Sequence, residues 1–207
     1  MLRYALSDPM LVILATIAFI LSVSAHEANH ALVATALGDD TPRRAGRLTL
    51  NPFKHVSAMG ILFFVLAGFG WGSTPITPAK LRPNPRTGYA IVSLAGPLAN
   101  LALAIACALV LRAGIVTTPE LARFLTIAAS LNVLLFVFNL LPIPPLDGFA
   151  VLLGVLPRAL ALSLRKLERY GLGILFALLF LLPYLGVDPV GWILRNVTRA
   201  LSPLGLH

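Results

Sequence analysis

Ser24–Leu32 reads SAHEANHAL, inside an apolar run that extends from about residue 9 to about residue 37. At ~1.5 Å per residue a helix over that run is long enough to cross a hydrocarbon layer ~30 Å thick. Within five positions it nevertheless carries His26, Glu27 and His30, with no basic residue beside them. An ionisable group near the middle of a membrane costs roughly 2.5–3.5 kcal/mol on insertion scales, and such groups are functional by default. On a helix, residues four apart lie on one face about a turn apart, so the two imidazoles can converge on one ion. A glutamate directly after the first histidine completes HExxH, the zinc-binding pattern in which the glutamate is the general base. With 4 histidines in 207 residues, chance produces the pattern on the order of once in a thousand such sequences. The competing reading of the same residues is a polar packing cluster held by interhelical hydrogen bonds.

The surroundings fit a chain that lives in a bilayer. It is 58% hydrophobic and 12% charged, where a soluble domain carries roughly a quarter charged residues. The formal charge of +8 does not imply nucleic acid, because the basic residues are not interleaved with aromatics and no nucleic-acid-binding pattern is present. They fit the inner-side loops of a membrane protein instead. Cys107 stands alone within an apolar run, so no disulfide framework exists and the residue reads as a small buried hydrophobe. The N-terminal run is too long for a cleaved signal peptide and reads as a retained first span.

Apolar stretches fall at about 9–37, 56–72, 89–111, 121–141, 170–186 and 190–203. The expected fold is therefore an all-α, polytopic helical bundle of about five to six membrane segments, one of them re-entrant, with a metal site between the first and fourth apolar segments. It forms a single integral membrane domain over 1–207, with a catalytic core at about 9–150 and C-terminal helical segments over 157–207. Asp8 followed by Pro9 reads as the start of the first helix, and Gly38-Asp39-Asp40 as its end. Eleven of the 16 basic residues lie in 38–55, 73–88 and 157–169. Placing those loops on the cytoplasmic side makes the short, glycine-rich 56–72 stretch enter and leave on one face, with an ordinary short span as the alternative. The 157–169 segment reads equally as an amphipathic surface helix or a plain linker.

A catalytic zinc takes three protein ligands and keeps one position open. Among the remaining candidates, His55 sits in a basic loop and reads as a surface or interfacial residue, His207 is terminal, and Asp188 falls on the far side. Asp147 closes NLLPIPPLDG, Asn139–Gly148, where prolines end the fourth apolar stretch. The charge-based topology returns it to the membrane face that holds His26 and His30. A carboxylate completing a His, His, Asp set suits zinc.

Together with HEANH, the blocks LNPFKHVSAMG (Leu50–Gly60), FGWGSTP (Phe69–Pro75), SLAGPLANL (Ser93–Leu101) and NLLPIPPLDG resemble those of the site-2 protease family of membrane-embedded zinc metalloproteases. Their order and spacing match from about Ser24 to Ala150. The resemblance implies zinc on His26, His30 and Asp147, Glu27 as the base that activates water, and cleavage of a membrane-spanning protein substrate within the lipid bilayer. It further implies that Asn139 binds substrate backbone or the tetrahedral intermediate, and that Gly96, Pro97 and Asn100 pack a helix beside the metal. The chain departs from the family pattern at Ser57 and Ala58, where relatives of this short layout often carry Asp-Pro. No PDZ or nucleotide-binding module is visible. Asn29, Asn139 and Ser24 are candidates to line a water path. The expected location is the plasma membrane, with the active site toward the cytoplasm.

Two further readings stay open on the residues alone. One is a zinc transporter or sensor, although the repeated halves of a transporter are not visible. The other is a protease-like scaffold without activity.

Overall fold

The computed structural model describes residues 7–56, 58–68, 70–188, 191–192 and 196. Ser57, His207 and most of the 190–203 stretch lie outside the described residues. The described chain is helical, apart from one isolated antiparallel bridge between Val56 and Gly72. Its helices are α1 (Pro9–Ala36), α2 (Thr41–Arg44), α3 (Ala58–Ala67), α4 (Pro85–Arg112), α5 (Pro119–Asn139) and α6 (Asp147–Val155). A last helical run, α7 (Arg158–Tyr184), passes through a 3-10 turn at Lys166–Tyr170 and a π turn at Ala177–Leu181. Among the described residues four helices, α1, α4, α5 and α7, are long and apolar enough to cross a membrane.

Helix α1 begins and ends where its sequence directs. The Asp8 carboxylate accepts from the N–H of Leu11 at 3.0 Å, and Pro9 occupies the first turn, where its missing N–H costs nothing. At the other end Gly38 takes φ 102°. That left-handed residue lets Asp39 N–H reach Ala34 O at 2.9 Å and Gly38 N–H reach Thr35 O at 3.1 Å, closing the helix with a Schellman motif.

The bundle is apolar outside and small or polar inside. Met10, Ile13, Ile17 and Leu21 of α1 are exposed, whereas Ala15, Ala18, Ser22, His26, Glu27 and His30 are buried. In lipid an exposed leucine carries no penalty, so close approach of backbones through small residues is what holds helices together. Helix α4 is the hub. It packs against α1, α5 and α6, and its buried face carries Gly88, Ala95, Gly96, Ala104 and Ala108.

Two connections set the position of the site. Arg123 of α5 pairs with Asp8 at the start of α1, so both helices start at one end of the bundle and run the same way. Prolines after Asn139 then prevent α5 from continuing, and the chain turns through Leu140–Leu146 into α6 with Asp147 as its first residue. The HEANH turn and Asp147 meet at the same level for this reason. At its far end α6 is capped by Arg86 of α4, whose guanidinium donates to Leu153 O at 2.6 Å, Gly154 O at 2.9 Å and Leu156 O. Arg86→Met removes three charge-assisted bonds to carbonyls of one helix end. It is expected to lower stability by about 2 kcal/mol, read as a drop in thermal midpoint in detergent micelles.

The 56–72 stretch does not form a span. Its helix, α3, has 10 residues, about 15 Å at 1.5 Å each. Val56 pairs with Gly72 and Ser73 N–H reaches His55 O at 3.3 Å, so the stretch leaves at the point where it enters. Phe64 anchors it on α1 by stacking on Phe19, ring centroids 4.0 Å apart.

The loop after α1 is tied down by a carboxylate that the sequence reading took only as a helix-end signal. Asp39 is fully buried and accepts from Thr77 N–H at 2.6 Å and Thr41 N–H at 3.0 Å. Burial pushes its pKa up, but hydrogen bonds from Thr41 and Thr77 and the charge of Lys80 outweigh burial and hold it below the usual carboxylate range. A depressed folded-state pKa contributes stability that is present above the unfolded value, ~3.9, and is lost as pH falls through the folded value. Asp39→Asn is expected to cost about 1–3 kcal/mol at neutral pH and to weaken the acid sensitivity of the thermal midpoint below about pH 4.

Candidate metal centre

Three ligand-type side chains, His26, His30 and Asp147, place one donor atom each within 4.8 Å of the others. Asp147 Oδ2 lies 3.1 Å from His26 Nε2 and 3.4 Å from His30 Nε2, and the two Nε2 atoms are 2.9 Å apart. Both histidines are buried. His26 Nδ1 donates to Asn100 Oδ1 at 2.7 Å, and His30 Nδ1 donates to the Val92 carbonyl at 2.7 Å. Since a carbonyl or amide oxygen only accepts, each ring carries a proton on Nδ1 and directs Nε2 inward.

This donor set fits a divalent metal ion. Two Nε2 atoms and a carboxylate oxygen this close in a buried pocket need positive charge among them, which a metal ion would supply. Their separations are close to the ~3.3 Å edge of a tetrahedron built on bonds of ~2 Å. Three ligands leave the fourth corner open, the arrangement of a catalytic site rather than a closed structural one.

The space is carved by glycine. A Cβ on Gly96 of α4 would lie 2.4 Å from His30 Nε2 and 2.5 Å from His26 Nε2, closer than real Cβ atoms come to a neighbour. The resemblance of SLAGPLANL therefore acquires a physical content: Gly96 lets α4 approach the two rings, and Asn100 one turn later holds one of them.

Glu27 stands outside the three-residue cluster, buried on α1 beside it. The extended segment after α3 runs along it. A Cβ on Gly72 would meet Glu27 Cγ at 2.7 Å and Oε1 at 2.9 Å, and the Thr74 hydroxyl donates to the Glu27 carbonyl at 3.0 Å. The carboxylate thus lies between α1 and an extended strap over 72–77.

Asn139 stands at the end of α5, and its side-chain N–H donates to Leu135 O at 2.9 Å in its own helix, an ordinary back-bond at a helix end. Asn29 and Ser24 each bond to a backbone carbonyl. Asn29 donates to Ala95 O at 2.6 Å, locking α1 to α4, and buried Ser24 donates to Ile20 O at 2.6 Å. His55 is not a surface residue: it is buried, with Nε2 bonded to Thr49 O at 2.7 Å, because the 49–56 loop folds round it. What the sequence reading missed was Asn132, buried on α5 behind Asn100. A lone asparagine inside an apolar stretch was the available signal.

A buried pair of histidines with a carboxylate, set in a bundle of helices able to cross a membrane, is the make-up of a membrane-embedded metalloenzyme. The model of Peptidase family M50 matches residues 113–182. The chain is 38% identical to the Bacillus subtilis protein named "Putative zinc metalloprotease YwhC", over 88% of this chain and 86% of that relative. It is 37% identical to the "Putative zinc metalloprotease Rip2" of Mycolicibacterium smegmatis over 68% of this chain and 56% of that protein. A Mycobacterium tuberculosis protein of the same name is 33% identical over 84% and 67%. No solved structure matches. The chain belongs to Peptidase family M50, the site-2 protease family of membrane metalloproteases.

Proposed function

We propose that this protein is an intramembrane zinc endopeptidase that hydrolyses a peptide bond in or near a transmembrane helix of a membrane-tethered protein. In this reading His26, His30 and Asp147 hold the zinc, Glu27 is the general base, and residues of about 9–150 form the catalytic core. The observation that supports it most is the inward-facing Nε2 pair at 2.9 Å with Asp147 Oδ2 at 3.1 and 3.4 Å, with Glu27 buried beside it. When bound, zinc would lower the pKa of a water and polarise the scissile carbonyl.

The chain's own groups supply the rest. Asn100 and the Val92 carbonyl hold each ring by Nδ1 so that Nε2 stays a lone-pair donor. Glu27 accepts a proton from the attacking water as the water oxygen bonds to the carbonyl carbon. It returns that proton to the departing amide nitrogen as the carbon–nitrogen bond breaks. A substrate helix must unwind to expose that carbonyl, and the extended 72–77 strap alongside Glu27 offers backbone for an unwound strand to pair with. Apolar residues exposed on the bundle surface, among them Ile13, Ile17 and Leu21, suit lateral entry of an apolar segment. The plasma membrane, with the site toward the cytoplasm, is the location this reading entails.

The test is zinc content of the purified protein, followed by hydrolysis of a membrane-tethered reporter by wild type and Glu27→Gln. Stoichiometric zinc with cleavage only in the wild type supports the proposal. Zinc without cleavage favours a metal-handling protein, and cleavage by both proteins sinks the assignment of Glu27.

A further inference from the structure

The buried polar groups behind His26 form a chain whose direction is fixed at every link. His26 Nδ1 faces Asn100 Oδ1 at 2.7 Å. Asn100 Nδ2 donates to Asn132 Oδ1 at 2.8 Å, with the Ser22 carbonyl at 3.4 Å as a second, weak partner. Asn132 Nδ2 donates to the Ala128 carbonyl at 2.9 Å and to Ser22 Oγ at 2.8 Å. Asn100 and Asn132 are 0% and 2% exposed, so no bulk water can replace a lost partner. The three residues sit on α1, α4 and α5, the helices that form the core of the bundle.

An amide can flip by 180° at little cost unless its partners discriminate oxygen from nitrogen. Here they do. The Ala128 carbonyl can only accept, so the atom of Asn132 facing it must be Nδ2, which turns Oδ1 toward Asn100. Asn132 Oδ1 can only accept in turn, so Asn100 must face it with Nδ2 and present Oδ1 to His26. His26 then carries its proton on Nδ1 and keeps Nε2 free. A flipped Asn100 would instead present an N–H to Nδ1, drive the proton to Nε2 and turn it into the pocket shared with His30 and Asp147.

We propose that Asn132, on a helix that carries none of the three metal-type ligands, is a positioning residue for the metal centre: through Asn100 it fixes the tautomer and ring orientation of His26. The inference rests on the zinc reading above. Outer partners of metal-bound histidines typically govern about 10–100-fold in metal affinity. Asn132 acts two bonds removed from the ring, and the effect expected on its loss is at the lower end, about tenfold.

The test is zinc affinity by competition with a chelator, in detergent, together with the visible spectrum of the cobalt-substituted protein. Asn132→Leu keeps the volume and removes both the acceptor and the donor. Asn132→Asp keeps a carbonyl oxygen toward Asn100 and, as a buried neutral acid, a hydroxyl donor toward Ala128 O. Val137→Ala, a cavity on the same helix among Ala104, Ala108 and Val133, controls for lost stability. The expected result is zinc binding weakened about tenfold with an altered cobalt spectrum in Asn132→Leu, affinity restored toward wild type in Asn132→Asp, and wild-type affinity in Val137→Ala. Unchanged affinity and spectrum in folded Asn132→Leu overturn the proposal, as does equal weakening in Val137→Ala. Should Asn132→Leu not fold, the milder Asn132→Ser, too short to hold both Asn100 and the Ala128 carbonyl, is measured in the same way: weakened zinc binding supports the proposal, and wild-type affinity with an unchanged cobalt spectrum overturns it. A wild-type protein that binds no zinc is a separate result, which removes the functional reading itself.

Discussion

Replacing Glu27 by glutamine is expected to lower hydrolysis of a membrane-tethered reporter by about 10³-fold, with zinc content and thermal midpoint held near wild type. The amide has nearly the shape of the carboxylate, so the contact with the 72–77 strap and the bond from Thr74 to the Glu27 backbone carbonyl both survive. What disappears, on the proposed mechanism, is the ability to accept a proton from water and return it to the leaving nitrogen. General-base catalysis contributes about 10²–10⁴-fold, and a loss of 10³ corresponds to about 4 kcal/mol of transition-state stabilisation. Because Glu27 is outside the His26, His30, Asp147 cluster, metal content should not follow activity. A variant that loses zinc in proportion to activity would make Glu27 a ligand or a structural support instead of a base.

Gly96→Ala is expected to have an effect of similar size by a different route, abolishing zinc retention as well as cleavage. The added methyl would lie 2.4–2.5 Å from both Nε2 atoms, about 1 Å inside ordinary contact. The rings cannot swing away cheaply, since each is held from behind at 2.7 Å, one by Asn100 and the other by Val92. Either the bonds that set the tautomers break or α4 withdraws from α1, and overpacking of that kind costs about 1–3 kcal/mol. A displacement near 1 Å at a catalytic constellation costs about 10²-fold even where the metal persists. Metal analysis after purification, with reporter cleavage alongside, distinguishes the two variants: Glu27→Gln keeps the ion and Gly96→Ala does not. Full zinc and full activity in Gly96→Ala would show that the bundle yields at this contact.

The architecture was legible in this sequence to the extent that it depends on local chemistry. Apolar length marks α1, α4 and α5 as membrane-crossing helices, because nothing but a helix satisfies its own backbone in lipid. Asp8-Pro9 and Gly38 end α1 through bonds made within a few residues, and the helical spacing of His26 and His30 guarantees a common face. Asp147 could be matched to them because charge distribution fixes which ends of the helices share a side. Where a side chain's partner lies on another helix, the sequence is silent. Asn139, Asn29 and Ser24 are polar in apolar surroundings and so looked available to water or substrate. In the folded chain each is already donating to a backbone carbonyl.

What the sequence alone picked out is the candidate donor set, His26, His30 and Asp147, together with the base-type glutamate that follows the first histidine. The helical period pairs the histidines, and the loop charges with the proline-broken turn bring Asp147 to their side. Only the tertiary structure decided which nitrogen of each ring faces the pocket, why residue 96 admits no side chain, and that Asn132 stands behind His26. These depend on separations of 2.4–2.9 Å between groups up to 110 residues apart in the chain, and no pattern local in sequence encodes a distance between helices.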